Sequence, residues 1–176
     1  MTGSLQINIY PRASLPPALY QDSVALCSRA YEEDFGAILG LFPGATHVVA
    51  HQQGRLVSHA LWIPRLLAYN GTPLLSAYVE AVATEPDAQG RGYASSVLRV
   101  LAAAITAYDV GALSPSDPAF YTRLGWELWL GPLAVVTAAG VRPMPEEQAM
   151  ILRLPRTPPL DLHGTLAAPW REGEVW

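Results

Sequence analysis

The sequence predicts an α+β fold built around one mixed sheet. Three strand-like segments joined by the turn signals Gln53-Gly54 and Asn70-Gly71 indicate an antiparallel meander. A glycine-containing loop and a helix rich in Ala, Leu and Val follow the third segment, which adds a helical crossover. The chain has 176 residues, of which 51% are hydrophobic and 15% charged, so we predict a single domain over residues 1–176 with a buried core.

The elements before the loop follow from apolar pattern and start signals. Pro16-Pro17 suits the first turn of a helix, because proline lacks an amide proton that this turn would leave unbonded. The predicted elements are a short strand at Leu5–Tyr10, a helix over Pro17–Tyr31, and the meander strands Thr46–Gln53, Arg55–Tyr69 and Thr72–Thr84.

The elements after the loop are shorter. The helix following the loop is expected to run to about Tyr108, and Asp117-Pro118 predicts a capped small helix that ends at Gly125. Residues 156–176 contain three prolines and are expected to form an extended tail draped over the body. The remaining predicted strands are Val110–Leu113 and a last pair, Trp126–Ala138 with Gln148–Pro155, turning around Ala139-Gly140.

Charge and cysteine content exclude several classes of function. All eleven basic residues are arginine and the net charge is −4, so we expect no nucleic-acid partner. The lone Cys27 excludes an internal disulfide, and His47 and His51 would share a face only on a helix, so no metal site is predicted. Residues 1–10 lack the pattern of a secretory signal, and no apolar stretch is long enough for a membrane span. We expect a cytoplasmic protein.

The loop after the third meander strand predicts an anion site. Two glycines allow a tight turn, and the amides at the start of the next helix would face a phosphate, with Arg91 adding charge. A turn without a ligand is the simpler reading of any Gly-x-Gly. Ser95 stands where a dinucleotide fingerprint needs Gly or Ala, and the Gly-Lys-Ser/Thr of a P-loop is absent.

The whole string Gln89-Gly90-Arg91-Gly92-Tyr93-Ala94, preceded by an apolar strand and Pro86, resembles the acetyl-CoA loop of the GNAT superfamily of N-acetyltransferases. The resemblance implies a GNAT-like fold and acetyl-CoA as cosubstrate, with no metal. It also implies that the pantetheine arm bonds the backbone of Val82, Ala83 and Thr84. The residues expected to hold the pyrophosphate are Gln89, Gly90, Arg91, Gly92, Tyr93 and Ala94.

Three further segments are similar to the aminoglycoside 2′-N-acetyltransferases: Tyr78–Ala83, Gly111–Ser114 and Trp170–Trp176. This similarity implies an aminoglycoside substrate and a homodimer. It implies that Glu80 is a water-relayed base and that Tyr121 is the acid that protonates the leaving thiolate. The implied substrate contacts are Asp34, Ala81 through its backbone, Ser114, Glu147, Glu174 and the terminal carboxylate of Trp176.

Both catalytic assignments have structural alternatives. Alternation along the strand places Glu80 with Ser76 and Tyr78 on one face, where a carboxylate is costly without a partner. A structural glutamate paired with a core arginine or tyrosine meets that requirement as well as a base does. Tyr121 is read equally well from its own surroundings as a half-buried core tyrosine.

The chain departs from the resembled enzymes at substrate positions. Leu39 stands where a second acid is expected, and Glu147 and Glu174 replace shorter aspartates. We therefore expect a substrate with fewer or differently placed amines, of the kasugamycin type. Two other functions fit the same sequence: acetylation of another small amine or a peptide amine, and a non-catalytic module that binds CoA or drug.

Overall fold

The computed structural model describes residues 4–176, which divide into two compact units. Unit 1 contains the residues up to Ile63 together with Val79–Ala104, and unit 2 contains Pro64–Tyr78 together with Ile105–Trp176. Two long strands, β3 (Arg55–Tyr69) and β4 (Thr72–Thr84), contribute residues to both units.

Unit 1 combines an antiparallel ladder with three helices. Strand β1 (Gln6–Pro11) pairs with β2 (Thr46–Gln52), and β2 pairs with the first part of β3. Helix α1 (Pro17–Tyr31) buries Ser23, Leu26 and Cys27, whose spacing of three and one residues forms a single stripe. The other helices are α2 (Phe35–Gly40) and α3 (Tyr93–Ala104).

Unit 2 is mostly sheet. Strand β5 (Val110–Leu113) runs parallel to β4 over Ser76–Tyr78 and antiparallel to β9 (Met150–Arg153), which also pairs with β6 (Glu127–Leu128). Strand β10 (Leu166–Pro169) pairs antiparallel with the end of β3 and parallel with β7 (Leu133–Thr137). A hairpin joins β7 to β8 (Gly140–Pro143), and α4 spans Pro118–Thr122.

The mixed sheet with helical crossovers confirms the predicted fold class. Helix α1 and strands β3, β4 and β5 have the predicted bounds. Both meander turns have positive φ at each central residue, 52° and 78° at Gln53-Gly54 and 48° and 81° at Asn70-Gly71. Such angles twist in the same sense as the flanking strands, which is why these dipeptides are reliable turn signals.

The shorter elements differ from the prediction in three places. The tail contains β10 and therefore belongs to the sheet, and α2 was not predicted. Residues 126–138 form two strands, and between them the amides of Leu130 and Gly131 both donate to the Leu162 carbonyl, at 2.9 Å and 2.8 Å. The predicted pairing with residues 148–155 forms only at the first of these strands, where β6 pairs with β9; the second strand pairs with β8 across the Ala139-Gly140 turn.

Helix α3 ends at Ala104, earlier than predicted. Asp109 pins the following chain to β4 in unit 2, because its amide donates to the Leu75 carbonyl and its carboxylate accepts from the Leu75 amide, both at 2.9 Å. The turn that reaches this anchor cannot remain α-helical, and it is closed by a bond from the Tyr108 amide to the Ile105 carbonyl.

Candidate functional site

Strand β4 is interrupted next to the predicted base. Ala81 has φ of 52°, a left-handed conformation that a non-glycine residue adopts only when its surroundings hold it there. Before this residue both faces of β4 are buried, since Ser76, Ala77 and Tyr78 are all 0% exposed, so the predicted alternation does not separate an exposed from a buried face. Glu80 is half-buried immediately before this bulge, and the residue takes part in an interaction within the protein.

Side chains bond three successive carbonyl oxygens beyond Glu80. The imidazole Nδ1 of His59 lies 2.9 Å from the Ala81 oxygen, and the Tyr31 hydroxyl donates to the Val82 oxygen at 2.8 Å. The Ser58 hydroxyl donates to the Ala83 oxygen at 2.9 Å. The segment expected to bond pantetheine is thus an irregular backbone stretch held by neutral donors.

These three donors lie on two different edges of the segment 81–83. His59 and Ser58 belong to β3, so the carbonyls of Ala81 and Ala83 face that strand. The Val82 carbonyl lies between them and faces the opposite edge, as alternate carbonyls of an extended chain do. Tyr31 occupies that oxygen, and its ring stacks on Phe35 with centroids 4.6 Å apart. A pantetheine bond to the Val82 carbonyl would compete with Tyr31.

The loop beyond β4 has the geometry of an anion site. Gly90 and Gly92 have φ of 74° and 81°, and a Cβ at either position would meet nothing within 4 Å, so the backbone is open to a ligand. The first bond within α3 runs from the Ser96 amide to the Gly92 carbonyl, which leaves the preceding amides of the helix without an intrahelical acceptor. These groups fit the pyrophosphate of a nucleotide cofactor, with the positive end of the helix dipole behind them.

Ion pairs hold the entrance of this loop. Glu85 is only 4% exposed and accepts two bonds from the Arg29 guanidinium, at 2.5 Å and 3.1 Å. Asp87 accepts two bonds from Arg55, each 2.9 Å, and this pairing lowers the pKa of Asp87. Arg91 donates to the Asp87 carbonyl at 3.2 Å. Sequence reasoning missed Glu85; a lone acid between an apolar strand and Pro86 is the signal that could have found it.

Asp34 and Leu39 have structural roles in unit 1. The Asp34 carboxylate caps α2 by accepting from the Gly36 amide at 2.9 Å, while the residue remains exposed. Leu39 is 2% exposed and belongs to the core cluster that includes Leu26 and Cys27. The side chain at the position where a second acid was expected therefore packs in the core of unit 1.

Unit 2 holds the other residues that the sequence singled out. Ser114 and Glu174 are exposed, and Glu147 is half-buried in the wall of a cavity of about 600 Å³. The Trp176 side chain is 2% exposed, and its indole nitrogen has no hydrogen-bond partner among the described residues.

Two arginines that sequence reasoning missed hold the tail of unit 2. Arg65 is 6% exposed and donates to the carbonyls of Val175 at 2.7 Å and Pro169 at 3.1 Å. Arg171 donates to the Glu174 carbonyl, and both guanidiniums lie over the ring of Tyr78, 4.5 Å and 5.2 Å from its centroid. An arginine in the middle of an apolar strand is a signal for such a buried anchor.

Tyr121 is positioned by the small helix of unit 2. The Asp117 carboxylate caps this helix by accepting from the amides of Ala119 and Phe120, as its sequence predicted. Tyr121 is 5% exposed and packs edge-on against Trp126, with ring centroids 6.2 Å apart. Burial, with a smaller effect of Asp117, raises the pKa of the phenol to about 12. The phenol is therefore protonated at neutral pH, the form that a proton donor needs.

The described part of the chain offers no group of three His, Cys, Asp or Glu side chains placed to hold a metal ion. None of the helices within residues 4–176 combines the length and apolar character that crossing a membrane requires.

Comparison with known proteins places this arrangement in a family. Residues 20–129 match the model of the acetyltransferase (GNAT) domain, which covers more than half of the chain. An aminoglycoside 2′-N-acetyltransferase from Mycolicibacterium fortuitum is 38% identical over 140 residues, which cover 76% of this chain and 72% of that protein.

Solved structures share the fold. The GNAT family N-acetyltransferase YhbS from Escherichia coli, in complex with CoA, aligns with a TM-score of 0.66 at 20% identity over 96% of this chain and 92% of that one. A GNAT family acetyltransferase from Brucella melitensis, in complex with acetyl-CoA, aligns with a TM-score of 0.63 at 17% identity over 92% and 95% of the two chains. With the family model, the M. fortuitum relative and the β4 segment leading into an anion-binding loop in agreement, this chain belongs to the GNAT family of acetyl-CoA-dependent N-acetyltransferases.

Proposed function

We propose that this protein is an aminoglycoside 2′-N-acetyltransferase that moves acetyl from acetyl-CoA directly to an amine of the drug. The observation that carries the proposal is that the proposed base and the proposed cofactor-binding groups follow one another directly along one segment of unit 1. Within Glu80–Ala94, a half-buried carboxylate precedes a bulge, a strand edge and a helix start suited to pyrophosphate. The named activity of the M. fortuitum relative supports the choice of acceptor.

The reaction needs two proton transfers, and we assign one to Glu80 and the other to Tyr121. Acetyl-CoA supplies an acetyl group activated as a thioester. The attacking amine has a pKa of about 10 and must lose a proton, and Glu80 accepts it through a water molecule. The C–N bond forms as the C–S bond breaks, and Tyr121 donates its phenolic proton to the departing sulfur. Cys27 takes no part, because burial raises the pKa of its thiol to about 12 and the group is fully enclosed.

Substrate recognition is proposed to be electrostatic. Asp34, Glu147 and Glu174 supply carboxylates, the Trp176 carboxylate adds another, and Ser114 and the Ala81 backbone supply neutral contacts. Leu39 in place of a second acid, together with the longer acids Glu147 and Glu174, favours a kasugamycin-type substrate. A cytoplasmic homodimer completes the proposal by the same resemblance, and light scattering on the purified protein tests the dimer.

Thiol release from acetyl-CoA by the purified protein tests the function. The panel contains kasugamycin, gentamicin, tobramycin, a peptide amine and a control without an amine. Turnover with an aminoglycoside supports the proposal, and faster turnover with kasugamycin than with the others supports the finer assignment. Turnover only with the peptide would make the protein a different N-acetyltransferase, and acetyl-CoA binding without turnover on any acceptor would make it a binding module.

Glu80→Gln and Tyr121→Phe separate catalytic from structural roles. Loss of the base is expected to lower kcat about 100-fold, a typical contribution of general-base catalysis. Loss of the phenol is expected to lower kcat about tenfold, because a phenol with a pKa of about 12 is a weak acid toward a thiolate. Equal melting temperatures of the variants and the parent exclude a structural cause. An unchanged kcat in Glu80→Gln would make Glu80 a structural carboxylate.

A further inference from the structure

Unit 1 contains a buried chain of hydrogen bonds that ends at the bulge of β4. His59 Nδ1 lies 2.9 Å from the Ala81 carbonyl oxygen, and His59 Nε2 lies 2.9 Å from His47 Nδ1. Both rings are enclosed, with His59 0% and His47 1% exposed. The role proposed above for the loop and for Glu80 does not account for these two histidines.

The chemistry of the acceptor fixes the protons along this chain. A carbonyl oxygen only accepts, so His59 carries its proton on Nδ1. Burial lowers the pKa of His59 to about 4, which leaves the ring neutral and makes Nε2 an acceptor. His47 must then donate from Nδ1, and because burial lowers its pKa to about 3, its Nε2 carries no proton. Every donor in the chain points toward Ala81.

The rings have little freedom to turn. His47 Nε2 is a buried acceptor without a hydrogen-bond partner among residues 4–176, so a flip of this ring would leave His59 without a donor. The protonated thiol of Cys27 lies 3.6 Å from His59 Nδ1 and closes one side of the ring. The edge of Tyr20 packs against His47, with ring centroids 6.2 Å apart.

The bond to Ala81 determines the orientation of one peptide group. Ala81 has φ of 52°, a conformation that needs support from outside its own backbone. In a trans peptide the carbonyl and the following amide point in opposite directions. Because the Ala81 carbonyl points to His59 on β3, the Val82 amide points to the other strand edge, which is the edge of the proposed pantetheine contacts.

We propose that His59, oriented by His47, is a positioning residue that locks the Ala81–Val82 peptide between the base and the thioester-binding strand. The proposal rests on the proposed function. The peptide joins Glu80 to the segment Val82–Thr84, so its rotation would change the aim of the base relative to the acetyl donor. Binding of acetyl-CoA depends mainly on the loop and changes less.

Two substitutions of His59 differ only in where they place an amide. Asn puts its amide nitrogen near the position of Nδ1 and can still donate to Ala81, whereas Gln reaches toward the position of Nε2. His59→Gln is expected to lower kcat about tenfold or more, the size of effect that small misplacements produce, with KM for acetyl-CoA changed less than about threefold. His59→Asn is expected to stay within about threefold of the parent kcat.

A second pair keeps the test valid if His59 variants unfold. His47→Asn retains a donor toward His59, and His47→Phe removes it without touching Ala81. His47→Phe is expected to lower kcat in the same direction as His59→Gln, and His47→Asn to preserve it. The proposal would be overturned if His59→Asn lost as much kcat as His59→Gln, or if His47→Asn lost as much as His47→Phe. Full activity in His59→Gln would also overturn it.

Nitrogen NMR tests the geometry without any substrate. Long-range proton–nitrogen correlation spectra of the unliganded protein report which imidazole nitrogen carries the proton. The proposal requires that both His59 and His47 carry the proton on Nδ1. It also requires that the chemical shift of the Val82 amide differ from that of the parent protein in His59→Gln and match it in His59→Asn. An Nε2–H form at His59 overturns the proposal whatever the enzyme acetylates. If the drug panel shows no turnover while these spectra agree, the proposed function fails and the hydrogen-bond chain stands.

Discussion

Two irregular backbone stretches in this protein are held by their carbonyl oxygens, and the donors are of opposite kinds. In unit 1, the segment 81–83 is bonded by imidazole, phenol and hydroxyl groups, all neutral. In unit 2, the tail carbonyls of Pro169, Glu174 and Val175 are bonded by the guanidinium groups of Arg65 and Arg171. Carbonyl oxygens of irregular backbone therefore receive hydrogen bonds from neutral donors in unit 1 and from charged donors in unit 2.

The difference is explained by what lies beside each stretch. The segment 81–83 follows the proposed base Glu80, and its imidazole, phenol and hydroxyl donors add no positive charge of their own beside it. In the tail, guanidinium groups give stronger, forked bonds. The guanidinium groups of Arg65 and Arg171 contact tail carbonyls and the Tyr78 ring.

The largest expected difference between the two stretches is in their response to acid. His47 and His59 are neutral in the folded protein, with pKa values of about 3 and about 4, whereas the unfolded chain has the ordinary value of 6.5. Below pH 6.5 the unfolded chain binds more protons, so the free energy of unfolding falls as the pH is lowered from 6.5 toward 4. Denaturant titrations at pH 7, 6 and 5 should show a loss of about 4 kcal/mol from the two groups together.

The double variant His47→Asn, His59→Asn is the matched control. It keeps donors at both positions but removes both titrating rings, so its stability should change much less between pH 7 and pH 5. Arginine does not titrate between pH 5 and pH 7, so the hydrogen bonds from Arg65 and Arg171 to the tail should be equally strong at pH 5 and at pH 7. A parent protein as stable at pH 5 as at pH 7 would contradict the neutral assignment of the histidines.

The role of Arg65 in holding the tail is tested by Arg65→Met. This substitution preserves much of the side-chain length but removes the hydrogen bonds to the carbonyls of Val175 and Pro169. Loss of two bonds from a charged donor is expected to lower the free energy of unfolding by about 2 kcal/mol. If the tail carries substrate contacts, KM for the amine should rise about tenfold while KM for acetyl-CoA stays near that of the parent.

Arg65→Lys sharpens this test. Lysine keeps the charge but cannot bond two carbonyls as a fork, so it should recover only part of the stability. An unchanged amine KM in Arg65→Met would mean that the tail has a structural role only, and it would remove Glu174 and Trp176 from the proposed substrate contacts.

The parts of the fold that the sequence predicted well are those specified locally. Turn dipeptides, Pro16-Pro17 and continuous apolar runs determined α1 and β3–β5, because each signal acts within a few residues. The break at Gly131 and the pairing of β10 depend on contacts with segments more than thirty residues away, such as Gly131 with Gly164. No local pattern encodes those contacts.

The site divides in the same way. The glycine loop was predicted because its function uses backbone amides that a short motif places. His59, Tyr31 and Arg65 were missed because each acts on a carbonyl between 22 and 110 residues away along the chain. The burial of Leu39 in the core was likewise not predicted from its position in the sequence.

The smallest expected effect concerns the Tyr31 hydroxyl, which lies on the edge of β4 that faces away from β3. The Tyr31 hydroxyl bonds the Val82 carbonyl at 2.8 Å, on the edge where pantetheine is proposed to lie. Tyr31→Phe removes that competitor and keeps the ring stacked on Phe35, so KM for acetyl-CoA should fall about twofold with kcat unchanged. Tyr31→Leu removes the ring as well and separates the effect of stacking from that of the hydroxyl. A rise of KM in Tyr31→Phe would show that the phenol supports the bound cosubstrate, which would give the neutral donors of this segment a direct part in binding.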